Sequence, residues 1–412
     1  MITRIEACNY RCFSTLNCEL GNYHILAGAN GSGKTTLLDI PAIFADLLYA
    51  RTVGAVFLET GPGQQTARAR QPCELIHQLR GNCLTLAVEA RLPEYVIKSL
   101  AEHAPVKIQE QPDNWPSSLR YALKLEVFKD TEIHVASEYL YLFSETFRDK
   151  SWINVINRES GNPSDIMPEC PSDQNKLTFR IGPRQLALAN VPADTSQFPA
   201  VTWFRNFLQE QSCPYRPDWR RLRLACPPGN SRTLLADGMN LPWLILDLQK
   251  NDPRAHTEWT EHVKTALPNI ESITATERED DHHAYFRVRY RNGLDVTSSG
   301  LSDGTLRILS LTALPYLAVS PKLVTIEEPE NGIHPQAVEA VLQSVSALYD
   351  SQVWISTHSP VVLANTDLSQ ILCMRLKHDD SVEVIPGDKH PRLRDWQGQI
   401  DIGTLFAAGV LE

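Results

Sequence analysis

Over the opening residues, hydrophobic and polar positions alternate with a strand-like period, and residues 2 to 40 read as strand, strand, loop and helix. Within them Tyr23-His24-Ile25-Leu26-Ala27 forms an apolar run fit for a buried strand. Thr36-Leu37-Leu38-Asp39-Ile40 opens a helix that Ile43 to Tyr49 continues past Pro41. Gly54 to Arg70, rich in Gly, Gln and Arg with little periodicity, predicts a mobile loop. Leu84 to Leu92 alternates as a strand, and Tyr121 to Val127 and Glu132 to Tyr141 predict antiparallel neighbours in a meander. From about residue 143 to 200 the pattern dissolves into polar chain punctuated by Pro163, Pro168, Pro171, Pro183 and Pro192, with only weak strand signals. That stretch reads as an insertion.

Helical periodicity returns at Trp203 to Glu210, Asn240 to Lys250 and Arg254 to Leu267. Ile273 to Thr276 and Ala284 to Tyr290 read as strands. The latter carries Arg287 and Arg289, followed by Arg291, on alternate positions, so all three share one sheet face, which an exposed face explains without a ligand. An apolar helix is expected over Ile308 to Leu317, and apolar strands end at Glu327 and at Thr357. No repeat of 20 to 50 residues and no sustained heptad pattern occurs, which excludes long coiled-coil arms within this sequence.

Composition narrows the class. The 412 residues suffice for two domains or one large α/β core with an insertion. No apolar stretch approaches the roughly 20 residues that span a bilayer, and the first residues lack the apolar core of a signal peptide. A cytoplasmic protein is expected. Nine cysteines include no C-x-x-C pair, and the close group Cys8, Cys12 and Cys18 has no second cluster to complete a zinc site. A net charge of −10 argues against a dedicated nucleic-acid binder.

Chemistry enters at Gly28-Ala29-Asn30-Gly31-Ser32-Gly33-Lys34-Thr35, which fits G-x-x-x-x-G-K-[ST] between a predicted strand and a predicted helix. Glycines let the backbone turn tightly enough for its N–H groups to wrap phosphate oxygens. Lys34 reaches the β and γ phosphates, the Thr35 hydroxyl ligates Mg²⁺, and Thr36 follows in the helix N-terminus, which favours anions. ATP and Mg²⁺ are the expected ligands.

Three motifs follow in order near the other end. Leu301-Ser302-Asp303-Gly304-Thr305-Leu306-Arg307 sets a Ser hydroxyl and backbone N–H groups at a helix start, an anion site by the dipole argument. Lys322 to Ile326 is an apolar strand ending in Glu327-Glu328-Pro329-Glu330. Such a strand end places one carboxylate near Mg²⁺, here Glu327, and another near the attacking water, here Glu328. Val353 to Thr357 then ends in His358-Ser359-Pro360, where His358 is placed to sense or stabilise a γ-phosphate.

Together these residues resemble the ABC-type ATPases of the SMC/RecF/OLD group, most of all stand-alone ATPases of the AAA-21 kind. In that family the P-loop reads G-x-N-G-x-G-K-[ST], the signature L-S-D-G-T-x-R, the acidic strand end E-E-P-E-N-x-x-H-P and the switch T-H-S-P. All four are present as Gly28 to Thr35, Leu301 to Arg307, Glu327 to Pro335 and Thr357 to Pro360. Asn9-Tyr10-Arg11-Cys12-Phe13 resembles the opening strand, whose Arg, here Arg11, contacts nucleotide. Asp401 to Leu411 resembles the family C-terminus. The likeness is close at both ends and poor from about 95 to 230.

The resemblance implies an α/β fold: an ABC-type P-loop NTPase core, a mixed sheet flanked by helices, with a β-rich N-terminal lobe and an inserted α+β region. Residues 1–95 form the N-terminal half of the core, 96–235 the variable region, and 236–412 the C-terminal half. It further implies a homodimer in which Ser302 acts in trans on ATP held by the partner's P-loop, Gly304 beside it. Asn30, Gly31, Ser32, Gly33, Lys34, Thr35 and Thr36 bind nucleotide, Thr35 and Glu327 hold the metal, and Glu328, His358 and Lys34 act in hydrolysis. The glutamine that reads Mg²⁺ is one of Gln64, Gln65 and Gln71.

Three functions compete. The first is an ATPase switch gating a separately encoded, nuclease-like effector, as in bacterial anti-phage systems that this family resembles. The second is a RecF-like ATPase of DNA repair or recombination. Arg216, Arg220, Arg221 and Arg223, interleaved with Tyr215 and Trp219, could contact DNA, although a solvated face with inward aromatics is the simpler reading. A transporter subunit ranks last.

Overall fold

The structure, a computed structural model, describes residues 1–61, 66–102, 115–145, 151–170, 177–229, 232–393 and 401–409. The chain divides into two compact units interleaved in sequence. One comprises 1–21, 39–212 and 376–384, the other 22–38, 213–375 and 385–412.

The first unit is built on an eight-stranded antiparallel sheet. Its strands are β1 (Ile2–Tyr10), β2 (Phe13–Glu19), β4 (Cys83–Arg91), β5 (Ser118–Phe128), β6 (Glu132–Phe143), β7 (Ser151–Glu159), β8 (Ser164–Ile166) and β9 (Leu177–Phe179). They lie in the order β2-β1-β4-β5-β6-β7-β8-β9. Inward residues of this sheet pack on Phe44 and on the helix Pro199–Glu210, with Tyr121 stacked edge-on between Phe44 (5.4 Å) and Phe204 (6.1 Å).

Two expectations are corrected here. The loop predicted from Gly54 to Arg70 begins inside a helix, Val53–Leu58, whose Thr52 side chain caps Ala55 N. Val53, Val56 and Phe57 are buried at helical spacing, but six residues are too few to register as periodicity. The segment from 143 to 200 carries more than weak strands, since β7 is nine residues long and pairs along β6. Two register shifts in that pairing blur the alternation. The polar chain beyond it is gathered by Glu138, which is fully buried and accepts from Ala187 N and Leu188 N at 2.7 Å and from Tyr121 Oη at 2.9 Å.

The second unit holds a largely parallel sheet. Its strands β10 (Ser212–Tyr215), β14 (Leu323–Glu327), β15 (Gln352–Thr357), β3 (Tyr23–Ala27) and β16 (Ile371–Leu376) run in that order. β3, β14 and β15 are nearly continuous in apolar residues because parallel strands are covered on both faces. The helices Leu241–Asn251, Pro253–Ala266, Asp303–Thr312 and Pro335–Ser346 contribute to that cover, with Trp259, Leu309, Val341 and Ile355 fully inside. A separate antiparallel sheet, β11 (Ile270–Glu277), β12 (Ala284–Tyr290) and β13 (Asp295–Thr297), leaves Arg287 and Arg289 exposed, the latter 2.8 Å from Asp295.

The helix expected over Ile308 to Leu317 starts earlier and ends sooner, at Asp303–Thr312. Ser302 caps its start. A 3-10 turn, Leu314–Tyr316, follows because Pro315 cannot continue the hydrogen-bond ladder. No helix among the described residues is long and apolar enough to cross a membrane.

Candidate functional site

β3 lies between β15 and β16, parallel to both, and delivers the chain into the loop at Gly28. A Cβ on Gly28 would sit 2.4 Å from Met374 O, so this position tolerates only glycine. Gly31 and Gly33 take φ of +83° and +84°, the left-handed region that side chains disfavour. The helix Lys34–Tyr49 then begins, its N-terminus facing the loop it leaves.

The loop is shaped for an anion. Lys34 is buried, and its ammonium donates to Gly28 O at 2.6 Å and Ala29 O at 2.9 Å. Ser32 Oγ is buried with no protein partner, a polar atom awaiting one. Asn30 and Gly31 are exposed on the rim, Thr35 is exposed and Thr36 is half-buried in the first helical turn. A phosphate chain would give Ser32 Oγ its acceptor.

β14 ends at Glu327, whose Oε2 accepts from Thr35 Oγ1 at 2.8 Å. Hydroxyl and carboxylate therefore meet from two elements far apart in sequence. This oxygen donor set suits Mg²⁺, which takes few protein ligands and keeps waters and phosphate oxygens for the rest. The other oxygen, Oε1, is paired with Arg216 at 2.6 Å.

Glu328 follows with φ +45°, pinned by its N–H to Ser356 O at 2.9 Å. Its carboxylate is held on both sides. His358 Nδ1 lies 3.1 Å from Oε1, and Asn331 Nδ2 donates to Oε2. The Asn331 carbonyl in turn accepts from Arg307, whose guanidinium lies 4.5 Å from the Trp219 ring centroid. Thr357 Oγ1 donates to Glu330 Oε1 at 2.5 Å and accepts from Ser359 N at 2.9 Å, tying the acidic turn to the residue after His358. Burial raises the Glu330 carboxyl above the usual range. Glu330, Asn331 and Thr357 stand inside the contiguous motifs, but nothing local in the sequence signals the contacts they make.

Ser302 is exposed and its Oγ accepts from Thr305 N at 3.1 Å, capping the helix of the signature. A Cβ on Gly304 would come within 2.7 Å of Gly332 O, so glycine is what lets the signature helix lie against the acidic turn. Arg223 braces this helix start, pairing with Asp303 at 2.6 Å and donating to Leu301 O at 3.0 Å.

The arginine cluster read as a possible DNA contact is largely spent on carboxylates of its own unit. Arg216 pairs with Glu327, Arg221 with Asp237 at 2.7 Å and Arg223 with Asp303, while Arg220 is exposed. Arg11, in the other unit, takes φ +50°, donates to Arg68 O and sits 5.7 Å from the Tyr10 ring centroid. Gln71 precedes a 3-10 turn, exposed, and Gln64 and Gln65 lie outside the described residues.

A parallel sheet whose strand ends gather a glycine-rich loop, two acidic residues and a histidine, with the helix Asp303–Thr312 alongside, has the fold of an ABC-type P-loop ATPase. Solved structures agree on the fold. A Smc head bound to the C-winged helix domain of ScpA matches with a TM-score of 0.54 at 12% identity, over 93% of this chain and 97% of that one. A Smc head with an extended coiled coil, bound to the C-terminal domain of ScpA derived from Pyrococcus furiosus, gives 0.52 at 11% identity, over 93% and 95%. Residues 231–364 match the family described as "AAA domain, putative AbiEii toxin, Type IV TA system". The chain thus has the fold of an SMC-type ATPase head, with the likeness to the AAA family confined to residues 231–364. No curated protein sequence matches it.

Proposed function

We propose that this protein hydrolyses ATP as a dimeric nucleotide switch and that its nucleotide state gates a separately encoded effector, nuclease-like in kind, in defence against phage. The observation that carries the hydrolytic part is Glu328, held at a strand end between His358 and Asn331 while its neighbour Glu327 meets Thr35. Asn30 to Thr36 bind the phosphates, and Lys34 exchanges loop carbonyls for phosphate oxygens. Glu328 accepts the proton of the attacking water at a carboxylate oxygen, and His358 orients that carboxylate and stabilises charge beside it. Mg²⁺, when bound through Thr35 and Glu327, neutralises phosphate charge. Catalysis on this reading is positioning and charge stabilisation, with no covalent intermediate.

The exposed Ser302 and its braced helix N-terminus support the dimer reading, in which this face completes the partner's nucleotide site. Support for an effector comes from two directions. The family matched by residues 231–364 is described in terms of a toxin of a toxin–antitoxin system, and the similar Smc heads were solved with ScpA domains bound. The alternative, a RecF-like DNA clamp, loses support from the pairing of Arg216, Arg221 and Arg223 with carboxylates.

Glu328→Gln tests the hydrolytic and dimeric parts together. Turnover is expected to fall about 10²-fold or more, with a dimer that is ATP-dependent or longer-lived by mass measurement. Normal turnover would remove Glu328 from the mechanism. An inactive variant that stays monomeric at saturating ATP would remove Ser302.

A further inference from the structure

Arg216, just beyond β10, and Glu327, at the end of the neighbouring β14, form an ion pair at 2.6 Å. Glu327 is the carboxylate that meets the Thr35 hydroxyl, and its two oxygens are divided, Oε2 to Thr35 and Oε1 to Arg216. A guanidinium therefore occupies one side of the carboxylate that the proposed function assigns to the metal. We propose that Arg216 is a resident cation of the metal site, holding Glu327 until a divalent ion, arriving with nucleotide, displaces it. This rests on the assignment of Glu327 to the metal.

Charge explains why a cation is needed there. Glu327, Glu328 and Glu330 stand within four residues at one strand end. Glu328 and Glu330 both lie within the field of Arg307. Glu327 has Arg216. Without it, a partly buried carboxylate would face its acidic neighbours uncompensated whenever the metal is absent.

The pair is also built to part. Side-chain exposure is 42% for Arg216 and 29% for Glu327, so solvent screens the attraction and the pair is weakly held. The Arg216 backbone is fixed independently, its N–H to Ala236 O at 2.8 Å just beyond β10. The side chain can leave without disturbing that strand end. A doubly charged ion with Thr35 beside it outcompetes one guanidinium, while a water or monovalent ion does not. Arg221 and Arg223 have Asp237 and Asp303 as partners, and neither meets a carboxylate assigned to the metal.

The test is linkage between metal and nucleotide in the full chain, using AMP-PNP affinity by calorimetry with and without Mg²⁺. The ratio of the two dissociation constants measures how much the metal contributes. In Arg216→Gln the ratio is expected to rise about threefold to fivefold, the worth of an ion pair at this exposure, because the metal no longer competes. Arg216→Lys gives an intermediate rise and covers the case of a Gln variant that does not fold. Arg221→Gln leaves the ratio as in wild type. An unchanged ratio in both Arg216 variants overturns the proposal, and a fall overturns it in favour of Arg216 orienting Glu327 for the metal. Glu327→Gln separates the two layers. A collapse of the ratio upholds Glu327 as the metal carboxylate, whereas full retention overturns that assignment and the proposal with it.

Discussion

His358 Nδ1 stands 3.1 Å from Glu328 Oε1, and Glu328 holds its place there with a backbone φ of +45°. A left-handed conformation costs a residue with a Cβ about 1–2 kcal/mol. Strain of this kind is stored where the surrounding structure over-determines it, here through Glu328 N–H to Ser356 O and the side-chain grip of His358 and Asn331.

Glu328→Gly and Glu328→Ala remove the same carboxylate, but only glycine relieves the backbone. Both are expected to abolish most turnover. Chemical denaturation should place the glycine variant about 1 kcal/mol above the alanine variant. Equal stability would mean that the turn relaxes when the carboxylate is gone.

Gly28→Ala is expected to lose nucleotide binding and to destabilise its unit by about 1–3 kcal/mol. The added methyl would meet a backbone carbonyl, Met374 O at 2.4 Å, as well as Ser32 Oγ at 2.6 Å. A side chain could swing aside, but a carbonyl in the neighbouring strand can move only with that strand. AMP-PNP calorimetry and a melting curve together check the prediction.

Arg68 is 6% exposed at its side chain and joins Asp39 at 2.8 Å, Asp46 at 2.7 Å and Val56 O at 2.9 Å. Arg68→Ala strands the nearly buried Asp39 and is expected to cost about 3 kcal/mol or more. In Arg68→Ala/Asp39→Ala much of that loss should be recovered, because the orphaned charge is gone. A double variant no better than the single would show that packing of the Arg68 stem is the larger effect.

Glu169 provides a pH signature. Burial pushes its carboxyl up to about 7, against the opposing effect of hydrogen bonds from Ala200 N and Val201 N. A raised folded pKa means that the folded state binds the proton more tightly, so its stabilising contribution is full below the unfolded value. That contribution is lost as pH rises through about 7. The difference amounts to about 3 kcal/mol on the linkage relation. Wild type minus Glu169→Gln, measured by denaturation from pH 4.5 to 8, should show this decline, and a flat difference would contradict it.

Much of the site was legible because each motif is contiguous. Gly28 to Thr35 carries its own turn glycines, its lysine and its helix start within eight residues, and a β14 that is apolar but for Thr325 announces Glu327 and Glu328 at its end. Local chemistry of this sort depends on neighbours in the chain, so sequence alone determined the glycine-rich loop before its helix, the acidic strand end and the place of His358 after β15. The short helix Val53–Leu58 escaped notice because one and a half turns leave no period to detect, and β7 because register shifts broke its alternation.

Only the tertiary structure decided who meets whom. Nothing in a basic stretch from Arg216 to Arg223 indicates that its charges are taken by Glu327, Asp237 and Asp303. The bare string also admitted a nucleic-acid patch, although a solvated face was its simpler reading. The two oxygens of Glu327 are shared between Thr35 and Arg216 because β14 and β3 flank β15 while β10 lies beside β14. Strand order is a property of long-range pairing, and a charge has no preference written into its own neighbourhood about which distant carboxylate will fold against it.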